Sequence, residues 1–197
     1  MEKKNEPKML QDLILKTRSY RRFHQNVPIS QNELRELVNL GRLSASGGNR
    51  QPLKYVLSWQ PEKNARIFPH LHWAGYLKEW GGPIDGERPA AYIIILCDIG
   101  IAPNAGCDQG IAAQSMMLGA VEMGLGGCML GAVDRGPLRV ALVIPEAFEI
   151  ALVLAFGKPK ETVLLEPVKD GKIEYWRDER GFHHVPKRAL SDLILDL

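Results

Sequence analysis

The sequence predicts an α+β fold with a modest sheet, because strand-like runs alternate only loosely with helical patterns. The segments AAYIIILCD (90–98) and EIALVLAFGKP (149–159) are rich in β-branched residues and apolar along their length, which is typical of strands buried on both faces. Between them, residues 109–124 form a helical run that is apolar almost all round. Such a helix belongs at the centre of a structure or in a subunit interface.

The other elements follow in chain order. Residues 8–17 carry apolar side chains at helical spacing, and a capping box at Ser30-Gln31-Asn32-Glu33 begins a second amphipathic helix. Residues 54–59 alternate like a strand, and residues 138–143 predict a short helix that Pro145 ends. The tail from residue 160 is charged and aromatic, and its last residues, ALSDLILDL, are amphipathic.

The segment 60–89 is punctuated by glycine and proline and holds at best one short helix. It carries Trp73, Tyr76 and Trp80. An irregular segment this long in a compact domain is usually functional or disordered, so we predict either a lid over a ligand or an interface insertion. No repeat and no low-complexity linker marks a second domain, so residues 1–197 are expected to form a single domain.

Composition excludes several classes of protein. The 25 basic and 23 acidic residues leave a net charge of +2, which argues against a polyanion-coating protein and predicts no nucleic-acid partner. The polar N-terminal segment has no signal-peptide core, and no apolar run is long enough to span a membrane. The 3 cysteines have no C-x-x-C spacing and no histidine cluster, so neither a disulfide framework nor a metal site is expected. We therefore expect a cytoplasmic protein.

Two polar clusters are candidates for ligand binding. In RSYRRF (18–23), guanidinium groups and a hydroxyl can clamp a phosphate, although a solvated basic turn explains the same residues. In SASGGNRQP (44–52), adjacent glycines let the backbone approach a ligand, and the amides of Asn49 and Gln51 can bind the edge of a heterocycle. An ordinary connection between a helix and a strand is an equally good explanation of this loop.

The remaining motifs carry less chemistry. The segment 124–131 lacks the G-x-G-x-x-G spacing and follows a helix, so it is not a dinucleotide fingerprint, and Cys128 is expected to be buried near the helix C-terminus. His183 and His184 point to opposite sides of an extended segment and make a poor metal pair. Lys187 and Arg188 form either a second phosphate arm or ordinary surface charge. The sequence offers no candidate for a catalytic residue.

The order of these motifs resembles the nitroreductase family. TRSYRRF comes first, then SASGGNRQP, then a glycine-rich segment after an apolar helix, and finally a terminal Lys-Arg pair, so that the resemblance spans residues 9–195. It implies an α+β nitroreductase-like fold with a central, mostly antiparallel sheet flanked by helices. It also implies an interlocked homodimer with one FMN per subunit at the interface.

The resemblance further implies an FMN-dependent oxidoreductase. Such an enzyme uses NADH or NADPH to reduce nitroaromatic, quinone or related planar acceptors by ping-pong hydride transfer through flavin N5. Because that chemistry belongs to the cofactor, the protein need not supply an acid–base residue. A flavin-cleaving or dehalogenating member, or a flavin-binding module without turnover, remains an alternative.

The residues that the resemblance assigns to FMN binding are Arg18, Ser19, Arg21, Ser46, Gly48, Asn49, Gln51, Leu130, Gly131, Lys187 and Arg188. The first three are expected at the phosphate, ribityl and pyrimidine side of the flavin, and the loop residues 46–51 are expected to reach it from the partner subunit. Backbone amides at 130–131 are expected to face N5 and O4 of the ring. The last two residues are expected to form the terminal phosphate arm.

Overall fold

A five-stranded sheet organises the structure, a computed structural model that describes residues 9–196. Residues 1–8 and Leu197 lie outside the described residues, so the start of the helix predicted at 8–17 and the full 1–197 extent of the expected domain are described only in part. The strands are β1 (Phe23–His24), β2 (Leu53–Ser58), β3 (Ala91–Asp98), β4 (Gly126–Leu130) and β5 (Phe148–Pro159).

All pairings in this sheet are antiparallel, which confirms the predicted topology. The longest strand, β5, is bonded to β3 on one side and β4 on the other, since Leu154 is paired with both Ile93 and Met129. The outer edge of β3 pairs with β2, and the last two residues of β5 pair with β1. The sheet therefore has β5 and β3 in its interior, as their continuous apolar sequences predict.

Helices cover both faces of the sheet: α1 (Met9–Lys16), α2 (Gln31–Leu43), α3 (Pro61–Ile67), α4 (Asp108–Glu122) and α5 (Arg135–Leu142). Helices α2 and α4 pack on one face, against a core that includes Ile93 and Phe156. Helices α3 and α5 pack on the other face, where Tyr92 and Val153 are buried. Neighbouring residues of one strand thus enter different cores because side chains alternate across a sheet.

The capping box predicted at the start of α2 is present. The Ser30 hydroxyl accepts a bond of 3.2 Å from the Glu33 amide, and the Glu33 carboxylate accepts a bond of 2.7 Å from the Ser30 amide. The apolar helix predicted at 109–124 is α4, and it is buried against α2 and the sheet of its own chain. Burial within one chain is sufficient to explain its apolar sequence. Among residues 9–196, no helix has the length and apolar character required to cross a membrane.

Two predictions about local structure were incomplete. The glycine-rich segment after α4 is not only a helix terminus: Gly126–Leu130 forms β4, with Cys128 buried inside it. The local sequence does not predict this strand, because glycine is uncommon in strands. Here glycine is needed because the neighbouring strand lies too close for a side chain. A Cβ on Gly127 would lie 2.7 Å from the carbonyl oxygen of Ala155 and 2.9 Å from Sδ of Met117.

The tail is also more ordered than its charged sequence indicates. It forms a three-stranded sheet of β6 (Val163–Pro167), β7 (Trp176–Arg177) and β8 (His183–Lys187), in which β8 pairs parallel with β6 and antiparallel with β7. Up to residue 196, the amphipathic end is exposed and holds a 3₁₀ turn at Leu190–Asp192 in place of a regular helix. We refer to residues 160–196 as the tail.

Candidate functional site

A pocket of about 300 Å³ lies where the Arg18–Arg22 turn, α4, β4 and the tail meet. Arg18, Arg21 and Lys187 line it, and Ser19 does too. Its apolar side comes from Met117 of α4 and Met129 of β4, while the tail contributes Tyr175 and His183. We call this cavity the basic pocket. It brings four of the predicted site residues together from opposite ends of the chain.

The turn is held against the sheet by its backbone. The Tyr20 amide donates to the carbonyl of Gly127 in β4, with an N···O distance of 2.9 Å, and Ser19 forms a parallel bridge with the same glycine. On the other side, the buried carboxylate of Glu161 accepts hydrogen bonds from the amides of Arg21 and Arg22. Since Glu161 lies two residues after the end of β5, the end of the central strand fixes the turn.

The arginines of this turn point to different partners. Arg22 forms two hydrogen bonds of 2.6 Å with the carboxylate of Glu87, which is also 3.0 Å from the ammonium group of Lys160. These cations lower the pKa of Glu87 to about 2. Arg18 and Arg21 instead line the basic pocket, and Arg21 is only 9% exposed. Burial of this kind excludes a fully solvated basic turn.

Arg21 is fixed in place by the tail. Its guanidinium lies over the ring of Tyr175, 4.7 Å from the centroid, and Nη1 is 3.1 Å from Nε2 of His183. Since arginine can only donate, Nε2 of His183 is the acceptor and the proton of this neutral imidazole is on Nδ1. Burial and the charges of Arg21 and Arg177 lower the pKa of His183 to about 4, so the ring is neutral near pH 7.

The basic pocket fits an anionic group. Arg18 Nε and His183 Nδ1 are buried donors that have no hydrogen-bond partner among the described residues. None of the residues that line the pocket is acidic. A buried donor without a partner costs about 1–3 kcal/mol, which an acceptor-rich ligand such as a phosphate would recover.

The loop predicted to bind the flavin lies elsewhere in this chain. Ser46 and Gln51 line a different cavity of about 230 Å³, together with Tyr55 and Asp108. Neither Gly48 nor Asn49 lines the basic pocket either. The structure of one chain therefore does not bring the 46–51 loop to the residues of the Arg18–Arg22 turn.

The loop has a defined conformation because Asp108 holds it. The Asp108 carboxylate accepts hydrogen bonds from the Ser46 hydroxyl at 2.6 Å and the Gly47 amide at 2.8 Å, and the Ser46 oxygen accepts a bond from the Gln51 amide at 2.9 Å. Asn49 and Gln51 have φ values of 53° and 54°, in the left-handed region that non-glycine residues seldom adopt. Strained backbone of this kind is often found at functional sites.

The remaining predicted residues divide in two. Lys187 lines the basic pocket, whereas the neighbouring Arg188 is exposed and does not. Leu130 directs its side chain into the core at the end of β4, and the exposed Gly131 follows it. Two further lining residues, Tyr175 and His183, were not predicted for this site, because their positions depend on pairing within the tail sheet.

The aromatic residues of segment 60–89 pack within the chain. Trp73 is buried in the core beside Phe68, with 6.1 Å between ring centroids. The tail holds the other two: the rings of Tyr76 and Tyr175 are 4.9 Å apart, and Arg177 lies over Trp80 at 4.7 Å. The segment is therefore anchored to the tail beside the basic pocket, and its role as a lid stays a prediction.

A sequence model of the Nitroreductase family matches residues 14–79 and 95–158. The chain belongs to this family. The match covers the turn, the loop, α4 and most of the central sheet, while the first half of β3 and the tail lie outside it. No curated protein matches the chain.

Solved nitroreductase structures have the same fold. A nitroreductase family protein from Clostridium novyi NT is 19% identical, with a TM-score of 0.62 over 76% of this chain and 84% of that one. An NADPH:FMN oxidoreductase from Vibrio harveyi complexed with NAD+ is 24% identical, with a TM-score of 0.60 over 77% and 69%. An FMN-dependent nitroreductase from Clostridium difficile R20291 is 20% identical, with a TM-score of 0.59 over 75% and 86%. These likenesses establish the fold of this nitroreductase family member.

We expect Asp108→Ala to lower the free energy of unfolding by about 1–3 kcal/mol, because the Ser46 hydroxyl and the Gly47 amide lose their acceptor. Urea denaturation measures this change, and amide hydrogen exchange at residues 46–51 should accelerate. The matched control is Asp98→Ala, which removes one exposed bond to Gly100 and should cost less than about 1 kcal/mol. Equal losses in the two variants would contradict the role given to Asp108.

The adjacent histidines should have opposite effects on the pH dependence of stability. His183 has a folded pKa of about 4, so between pH 7 and pH 5 only the unfolded chain binds its proton, and up to roughly 2 kcal/mol of stability is lost as the pH falls. His183→Gln, which keeps an acceptor for Arg21, should remove this loss.

Hydrogen bonding to Glu166 raises the pKa of His184. Its contribution is therefore fully present below the unfolded pKa and is lost as the pH rises through the folded pKa. Urea denaturation of His183→Gln, His184→Gln and the unsubstituted protein at the two pH values measures both effects. The assignment of the neutral histidine is wrong if the two variants respond to pH in the same direction.

Proposed function

We propose that this protein is an FMN-dependent oxidoreductase that uses NADH or NADPH to reduce nitroaromatic, quinone or related planar acceptors. The observation that carries this proposal is the basic pocket, in which cationic donors without a carboxylate partner lie beside an apolar wall. Membership of the nitroreductase family supports it. The Vibrio harveyi relative, an NADPH:FMN oxidoreductase, supports the choice of cofactors.

The residues of the pocket fit the parts of FMN. Arg18 and Lys187 would hold the phosphate, with Ser19 and the free Nδ1–H of His183 as further donors. Met117 and Met129 would supply the apolar surface for the ring, and backbone amides at Leu130 and Gly131 would face its polar edge. When bound, FMN would accept a hydride from NAD(P)H and pass it to the acceptor.

The chain's own contribution would be electrostatic. Arg21 is held by Tyr175 and His183, so its positive charge is already in position before a ligand binds. Near the pyrimidine edge of a flavin, this charge would favour the reduced, anionic ring. Tyr76 contacts Tyr175, which lines the pocket, and Trp80 contacts Arg177 of the tail. As a lid, this segment would present aromatic surface to a planar acceptor.

FMN suits the site better than FAD. The basic pocket of about 300 Å³ offers one cluster of cations, enough for a terminal phosphate. The second nucleotide of FAD would need its own site, and the dinucleotide fingerprint fails at residues 124–131.

The active form in this proposal is a homodimer whose 46–51 loop reaches the pocket of the partner subunit. Helix α1 supports it, since none of its residues is buried although Met9, Leu10, Ile14 and Leu15 are apolar. The end of the tail exposes further leucines and an isoleucine at 190–195. Exposed apolar surface of this extent is typical of an interaction site. A second copy would cover it and bring the loop to the flavin.

The proposed setting is the cytoplasm, with a small-molecule acceptor and neither a membrane nor a nucleic acid as partner. Cys97, Cys107 and Cys128 are all free thiols in the described chain, which suits a reducing compartment. Burial raises the pKa of the Cys128 thiol, which makes it a poor nucleophile and favours the cofactor as the source of the chemistry.

The chromophore of the purified protein tests the cofactor. Denaturation and chromatography should release FMN, and Arg21→Ala and Lys187→Ala should each weaken FMN affinity about tenfold or more, because each removes a charge-assisted contact. Arg180→Ala, which removes an exposed tail charge, is the matched control and should retain FMN. Recovery of FAD, or unchanged FMN affinity in both pocket variants, would contradict the proposal. Bound FMN without NAD(P)H oxidation would instead favour a flavin-binding module.

The oligomeric state tests the dimer. Sedimentation should show a dimer at micromolar concentration, and Ile14→Glu should shift it toward the monomer and lower its flavin content, because a charge enters the proposed interface. Val140→Glu places the same charge on α5, on the opposite face of the sheet, at a residue that is 78% exposed, and should change neither property. A monomer with a full complement of flavin would refute the proposed exchange of loops.

A further inference from the structure

Another cavity, separate from both the basic pocket and the cavity at the 46–51 loop, lies beside the start of β3 and has a volume of about 340 Å³. Trp59 and Phe68 form its half-buried walls, and Ala90 and Tyr92 form its buried floor. Arg88 lines it between wall and floor. We call this cavity the Arg88 pocket. None of its lining residues belongs to the basic pocket.

The guanidinium group of Arg88 is not paired with a carboxylate of the described residues. Its backbone amide donates to the side-chain oxygen of Gln25 at 3.1 Å, which fixes the main chain of the residue. The guanidinium lies over the ring of Phe68, 4.4 Å from the centroid, and forms no ion pair with any described carboxylate. Its buried Nε has no hydrogen-bond partner within residues 9–196. Arg88 is half-buried, and its buried Nε–H without an acceptor is unfavourable unless a ligand supplies one.

Tyr92 adds a second donor from the floor. The residue is 1% exposed and its ring belongs to the core, yet its hydroxyl makes no hydrogen bond in the described structure. Burial raises the pKa of Tyr92 well above its ordinary value, although the nearby charge of Arg88 opposes this shift. The hydroxyl therefore stays protonated and is available to donate a hydrogen bond.

Two other polar side chains of the pocket are already engaged. Asn64 accepts a bond from the Ser58 hydroxyl and donates to the carbonyl of Ala90, both at 2.7 Å. The Gln25 oxygen accepts from the Gly86 and Arg88 amides. None of the residues that line the pocket is acidic. What remains for a ligand is a guanidinium, one hydroxyl donor, the amide of the exposed Asn26 and aromatic walls.

We propose that the Arg88 pocket binds a small planar carboxylate. The Arg88 guanidinium pairs with the carboxylate oxygens, the Tyr92 hydroxyl donates a further bond, and the planar body packs against Trp59 and Phe68. A carboxylate is favoured over a phosphate because its two oxygens match the fork of a single guanidinium, whereas the larger charge of a phosphate is usually met by several cations. The aromatic walls favour a planar body over an aliphatic one.

Benzoate and its neutral isostere benzamide are the probes that test this assignment. Calorimetric titration into the full-length protein as purified gives the affinity, and the NMR signal of the Trp59 indole reports whether the ligand lies in the Arg88 pocket. The variants are Arg88→Gln and Tyr92→Phe. Arg35→Gln is the charge-matched control, because Arg35 is an exposed residue of α2 outside this pocket.

We expect benzoate to bind at least about tenfold more tightly than benzamide, since the guanidinium contributes only to the charged ligand. Arg88→Gln should weaken benzoate binding about tenfold or more, Tyr92→Phe should weaken it severalfold, and Arg35→Gln should leave it unchanged. The Trp59 signal should shift on titration with benzoate. If Arg88→Gln fails to fold, Arg88→Lys and Tyr92→Phe provide the comparison.

Three results would overturn the proposal. The first is equal affinity for benzoate and benzamide, and the second is displacement of benzoate by inorganic phosphate at matching concentration. The third is binding that survives in folded Arg88→Gln but is lost in Arg21→Ala, because that pattern places the ligand in the basic pocket. Flavin content is measured on the same samples, so failure of the proposed FMN site is distinguished from failure of the Arg88 pocket.

Discussion

The strand β5 is the element on which the rest of the molecule depends. Its backbone is bonded on both sides, so it must lie inside the sheet, and its alternate side chains enter both cores. The strand β4 can join it only because Gly127 leaves room for the carbonyl of Ala155. The carbonyl of the same glycine accepts a hydrogen bond from the Tyr20 amide, and Glu161 lies two residues after β5. The Arg18–Arg22 turn is therefore positioned by the central strand.

The carboxylates of Glu87 and Glu161 determine which arginines of the turn are paired within the fold and which face the pocket. Glu87 forms ion pairs with Arg22 and Lys160 in a partly buried cluster. The charge of Arg22 is therefore neutralised within the fold. Glu161 binds the backbone amides of the turn and forms an ion pair of 3.0 Å with Arg177, so it leaves the side chains of Arg18 and Arg21 free to face the pocket. Within this basic motif, Arg22 is thus paired inside the fold, while Arg18 and Arg21 line the pocket.

The tail supplies part of the basic pocket in this nitroreductase family member. It lies beyond the family match, yet Tyr175, His183 and Lys187 all line the cavity. The neutral His183 can accept from Arg21 because burial and neighbouring cations oppose a second positive charge. The tail also binds Tyr76 and Trp80, so it couples the least regular part of the chain to the site. A relative with a different tail would present the same turn in a different electrostatic setting.

The sequence by itself determined the elements that are specified by residues close together in the chain. The strands β3 and β5 and the helix α4 follow from apolar runs, the start of α2 follows from its capping box, and the order of the motifs identified the family. Tertiary structure alone decided the rest. The strand β4 depends on close contact with Ala155. The carboxylate of Asp108 binds the 46–51 loop instead of capping its own helix. His183 contacts Arg21, which is far from it in the sequence. Such contacts join residues far apart in sequence, and their energies arise only after folding has removed water from between them.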